Sequence, residues 1–99
     1  MKDFIYYNEL YDIYKDLLTE KQRLYFEDYY FSNLSLSEMS ENYDISRNAI
    51  SKQLNTIRKY LDDYENKLAL KSKKDSILKL IPDIKDKEII DKIKNIIQS

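Results

Sequence analysis

The chain has 99 residues, with 17 basic and 18 acidic side chains, a formal net charge of −1 and a sequence pI near 5.5. That length holds one small domain with at most an appended helix, and the near-neutral balance excludes a protein that coats nucleic acid through its overall field. With no His, no Cys and no Gly, the chain lacks the common proton shuttle, the thiol nucleophile and any glycine-rich phosphate loop, so the sequence predicts neither an enzyme nor a metal or cofactor site.

The absence of Gly also disfavours hairpins that need positive φ, and the class predicted is all-α. Phe4, Tyr7, Leu10, Tyr11, Tyr14, Leu17 and Leu18 recur at three- and four-residue steps, one amphipathic helix over 3–18. Thr19 with Gln22 three residues on is a capping box, opening a helix from Glu20 to about Phe31 that is expected to bury Leu24, Tyr25, Tyr29 and Phe26. Ser32-Asn33 closes it. The ten tyrosines lie mostly on these apolar faces, where rings fill space and hydroxyls reach water; core packing fits them better than base stacking.

Ser35 and Glu38 form a second capping box, so a helix starts at Leu36, with Leu36, Met39 and Tyr43 on its inner face and Ser40 small enough for a close crossing. Asn42-Tyr43-Asp44 breaks the pattern with residues that tolerate left-handed backbone angles. Ser46 is the next N-cap, preceded by Ile45, and Ile50, Leu54 and Ile57 then make a buried stripe. Two short helices around a tight turn spell a helix-turn-helix.

The face opposite that stripe suits DNA. Arg47, Lys52, Arg58 and Lys59 can meet phosphate or guanine, Asn48 and Asn55 an adenine edge, and Ser46 and Ser51 backbone or base. Between Arg47 and Leu61 there are four basic residues and no acid, whereas residues 1–46 carry four basic and ten acidic groups. The bland reading is a solvated face that happens to be basic.

Ile50, Leu54, Ile57, Leu61, Tyr64 and Leu68 continue at alternating four- and three-residue steps, the seam of a two-helix coil. Leu61, Tyr64 and Leu68 are therefore assigned to a homodimer interface. Lys71-Ser72-Lys73-Lys74-Asp75 interrupts the pattern, and a helix end or hinge is expected over 71–81. Pro82 marks a boundary, beyond which Ile89, Ile90, Ile93, Ile96 and Ile97 predict a last amphipathic helix at about 86–98. The organisation expected is a helix-turn-helix domain with its dimerisation helix at 1–70, the hinge at 71–81 and a C-terminal helix at 82–99. No apolar run approaches the roughly 20 residues of a membrane span, and no cationic-then-apolar leader is visible, so membrane insertion is not expected and the cytoplasm is.

Together, Leu17-Leu18-Thr19-Glu20-Lys21-Gln22, the Tyr29-Tyr30 pair, Ser35-Leu36-Ser37-Glu38-Met39-Ser40-Glu41, Ile45-Ser46-Arg47-Asn48-Ala49-Ile50 and Tyr64-Glu65-Asn66-Lys67-Leu68 resemble the YlxM family of small bacterial helix-turn-helix proteins, itself similar to region 4 of the bacterial sigma factors. The resemblance implies a dimeric, all-helical bacterial protein. It also implies, through the family's gene neighbourhood, regulation of the signal recognition particle pathway or a part in it. A non-DNA-reading accessory of that particle's GTPase or RNA is the other function it implies. The chain departs from the family in having Asn48, Ser51 and Lys52 where Gln, Tyr and Asp are usual; Lys52 removes an acid that would repel phosphate.

Overall fold

The computed structural model describes residues 2–98. The chain forms α1 (Lys2–Tyr14), a 3-10 turn at Lys15–Leu17, α2 (Glu20–Tyr30), α3 (Leu36–Tyr43) and α4 (Arg47–Leu68), then α5 (Leu70–Leu80), a 3-10 turn at Ile81–Asp83 and α6 (Lys87–Gln98). The fold is all-α, with no strand among the described residues. Two compact units divide it, Met1–Leu68 and Ala69–Ser99.

Hydroxyl caps set the helix starts of the first unit. Thr19 Oγ1 accepts the Gln22 amide at 3.1 Å while the Thr19 amide donates to Gln22 Oε1 at 2.9 Å. Ser35 and Glu38 repeat the exchange with both bonds at 3.0 Å, and these bonds, the backbone one first, hold the Glu38 carboxyl below its usual range. Each such cap stabilises its helix by about 1 kcal/mol. Asn33 and Asp44 take left-handed φ of 56° and 55°, ending the segments where a glycine-containing chain would use Gly.

The core of this unit joins Leu10, Tyr11, Tyr14 and Leu18 to Tyr25, Phe26 and Tyr30, and these to Met39, Ile50, Leu54, Ile57 and Leu61. Two details differ from the sequence reading. The first α-helix stops at Tyr14, and the 3-10 turn leaves Leu17 exposed while Leu18 is buried. In α2 the buried face is Tyr25, Phe26 and Tyr30; Leu24 is 49% exposed and Tyr29 half-buried. The larger rings win the interior because they stack there: Phe26 lies 4.3 Å from the Tyr11 ring and 4.1 Å from that of Tyr30, both nearly parallel.

Nor do the tyrosine hydroxyls simply reach water. Tyr7 donates to Asp62 at 2.8 Å, Tyr14 to Glu65 at 2.7 Å, Tyr11 to Glu27 and Tyr43 to Asp28. Part of the chain's acidity therefore serves to satisfy ring hydroxyls at the edge of the core, tying α1 to α4 and to α2, and α2 to α3. Burial first, and then the hydrogen bond and charge of the carboxylate, push Tyr7 and Tyr43 from 10.0 up to about 12, and Tyr11 higher still. A folded pKa above the unfolded value means that the protonated form is favoured in the fold. Its stabilisation is complete below pH 10 and disappears as the pH rises through about 12. The melting temperature, followed by circular dichroism, should fall across that window, with the last part of the tyrosinate absorbance, that of Tyr7, Tyr11 and Tyr43, appearing together with unfolding; completion of the tyrosinate absorbance well before unfolding would contradict the network.

The second unit starts at Ala69, whose left-handed φ of 55° ends α4. The backbone therefore breaks two residues before the expected 71–81 hinge. That stretch is helical, and the lysine-rich run is tied into α5 by Lys71–Asp75 at 2.7 Å across one turn. The last helix, α6, starts at Lys87, where Asp86 Oδ1 accepts the amides of Glu88 and Ile89 at 2.9 and 3.3 Å. No described helix is long and apolar enough to cross a membrane.

Candidate nucleic-acid interface

The supporting helix α3 is short, and it is held to α4 by the turn between them. Ser40, expected only to be small, also donates its hydroxyl to the Ile45 carbonyl, while its own carbonyl accepts the Asp44 and Ile45 amides. Asp44 makes the left-handed step, and Ser46 Oγ then accepts the Ala49 amide at 3.0 Å, capping α4. The start of the second helix is thereby fixed against the first. Met39, Ile50, Leu54 and Ile57 close the angle between them from the inside.

With that row turned inward, Asn48, Lys52, Asn55 and Lys59 follow each other at four- and three-residue steps along the outermost row of α4, all exposed. Arg47, Ser51 and Arg58 line the flank that faces the neighbouring helices. Arg47 reaches Ser37 of α3 at 3.4 Å and stays exposed; Ser51 is half-buried. Arg58 is half-buried too, donating from Nη1 to the Tyr30 hydroxyl at 2.8 Å and from Nη2 to Asn55 Oδ1. The structure thus brings seven of the eight sequence-chosen residues to the open face or its edge, and draws Arg58 back as a brace. Ser37 and Tyr30 were missed, since nothing in local spacing ties residues 10 and 28 positions apart.

The basic strip ends abruptly. Asp62 accepts from Tyr7, and Asp63 pairs with Lys67 at 3.1 Å.

The assignment of Leu61 to a dimer seam is corrected: its side chain is 0% exposed, enclosed in the chain's own core between the Tyr7–Asp62 and Tyr14–Glu65 bonds that fasten α1 to α4. Tyr64 packs against that core and donates to the Leu17 carbonyl at 3.2 Å. Of the three, Leu68 alone is exposed, at 43%. Among the described residues no group of three or more His, Cys, Asp or Glu side chains could hold a metal ion.

Comparison with known sequences agrees with this geometry. The whole chain, residues 1–99, matches the UPF0122 family, described as "Putative helix-turn-helix protein, YlxM / p13 like". It is 42% identical over 85 residues to a probable UPF0122 protein of Mycoplasma mycoides, an alignment covering 86% of this chain and 75% of that one. It is 44% identical over 84 residues to a UPF0122 protein of Caldanaerobacter subterraneus, covering 85% and 72%. A UPF0122 protein of Halalkalibacterium halodurans is 39% identical over 85 residues, covering 86% and 76%.

Proposed function

Because the chain belongs to the UPF0122 family of YlxM / p13 like helix-turn-helix proteins, we propose that it is a DNA-binding regulatory protein that lays the N-terminal half of α4 in the major groove. The observation that carries this reading is the exposed, acid-free row Asn48, Lys52, Asn55 and Lys59, flanked by Arg47, on the second helix of the motif. Lys52, Lys59 and Arg47 would neutralise phosphates and set the register, Ser46 and Ser51 would add hydroxyl contacts at the entry of the helix, and the two asparagines would face base edges. A homodimer would present two copies of α4 to half-sites about 10 base pairs apart or a multiple of that. With Leu61 occupied, the part of its contact that the first unit supplies falls to the exposed Leu68.

Immunoprecipitation from the native cell, with sequencing of the bound nucleic acid and identification of the bound protein, tests the proposal. Enrichment of discrete genomic fragments, and binding of those fragments by the purified chain that falls steeply with salt, is the expected result. Absence of binding to any such fragment at low salt would sink it.

A second reading is favoured by one feature, the acidic surface of α1 to α3, where Asp12, Asp16, Glu20, Glu41 and Asp44 are all exposed. Such a surface suits a basic protein or ribonucleoprotein partner, and the signal recognition particle is the one implied by the family resemblance. Co-purification with that particle, unaffected by nuclease, would support it; no association at physiological salt would dismiss it.

A further inference from the structure

We infer that Arg58 sets the base preference of α4 by engaging the side-chain oxygen of Asn55, so that Asn55 meets the groove chiefly as a donor and selects guanine over adenine. The inference rests on the DNA-binding reading and deepens it.

The argument starts from what a guanidinium can do. It carries N–H donors and no acceptor, so the amide atom that Arg58 Nη2 approaches must be the oxygen of Asn55, and the amide orientation follows from chemistry. The other arm of Arg58 is anchored: Nη1 donates at 2.8 Å to Tyr30, a ring 8% exposed, stacked 4.1 Å from Phe26 and tilted against the Phe4 ring at 4.4 Å. The brace therefore runs from the core to the outer row of α4, and the planar fork is held at both ends.

A free asparagine pairs with adenine by accepting from N6–H and donating to N7. In Asn55 the Arg58 guanidinium occupies one of the two lone pairs of Oδ1 and sets a cation beside it, which makes that oxygen a poor partner for a further donor, while the NH2 group keeps both of its protons. Guanine shows two acceptors, O6 and N7, to that group, whereas adenine shows one acceptor beside an N6–H donor that has nothing to meet. Cytosine, whose major-groove edge is a donor, is disfavoured more strongly still. Asn48, seven positions earlier on the same exposed row, is not braced by Arg58, so the two asparagines that look equivalent in sequence differ in what they can read.

Selection from random duplexes by the full chain, with sequencing of the bound pool, measures the preference. The wild-type chain is expected to enrich guanine at the base pair that Asn55→Ala makes indifferent. Arg58→Met, which keeps stem length and removes both donors, should shift the guanine-to-adenine ratio at that one base pair by roughly tenfold toward adenine, leaving the other positions unchanged. A side chain that only supported the helix would lower affinity at every position alike. Nuclear magnetic resonance of the free wild-type chain gives a readout that needs no DNA and no variant. Slowed exchange of the Arg58 guanidinium protons and scalar coupling across the bond to Asn55 are expected, and a freely rotating guanidinium overturns the inference. DNA binding with adenine enriched at that position, or with a preference that a folded Arg58→Met variant retains, also overturns it while leaving the DNA-binding proposal intact. Failure to bind any duplex at low salt overturns both.

Discussion

Replacing Arg47 and Lys52 together by alanine should lower affinity for DNA by roughly a hundredfold, about 3 kcal/mol for two charged contacts. The mechanism makes a second demand on the same variant. Each phosphate left without its cation takes about 0.9 from the slope of log affinity against log salt, so the double variant should show a shallower dependence by up to about 2. Titration by fluorescence anisotropy at several salt concentrations reads both quantities. Lys79→Ala with Lys85→Ala is the matched control, since both are exposed and lie in the second unit and their removal changes net charge equally. Equal losses of affinity in the two double variants would mean that overall charge, and not the α4 face, governs binding.

Phe26→Ala should abolish binding without touching that face. Phe26 is fully buried and stacks between Tyr11 and Tyr30, so its truncation leaves a cavity in the core where α2 meets α1, at a cost of about 3–5 kcal/mol. A small domain has a total stability of roughly 5–15 kcal/mol, which leaves this one close to its threshold. The damage also reaches the brace, because Tyr30 both stacks on Phe26 and accepts from Arg58. Urea unfolding followed by circular dichroism should give a midpoint far below that of the parent; a midpoint near the parent value would show that the aromatic stack is not the centre of the core.

Much of the fold was legible because its signals are local. The capping pairs Thr19–Gln22 and Ser35–Glu38 lie within one turn, and Ser46 stands directly before the helix it caps. The outer row of α4 could be read from the inward spacing of Ile50, Leu54 and Ile57 alone. Failures came where periodicity was ambiguous or where a partner was distant. In α2, aromatic or aliphatic residues fill positions 24, 25, 26, 29 and 30, so more than one inward face satisfies helical spacing, and ring stacking decided between them. Leu61 continues a coiled-coil spacing, but α1 covers it from about 50 positions away, and heptad counting cannot distinguish a covering helix of the same chain from one of a second chain. Arg58 looked like a fourth groove-facing cation because its bond to Tyr30 spans 28 positions. Ala69 gave no warning at all: alanine is the best helix former, and its left-handed conformation costs roughly 1–2 kcal/mol.

The abrupt end of the basic strip gives α4 a polarity. At its first turn the unpaired amides of the helix add a partial charge of about +0.5 to Arg47, and no acid intervenes until Asp62 and Asp63. The positive charge of its outer surface is therefore gathered between Arg47 and Lys59, and beyond it Lys67 offsets Asp63. On the DNA-binding reading, a polyanion would meet an attracting end and an indifferent one, so that approach would be oriented before any hydrogen bond forms.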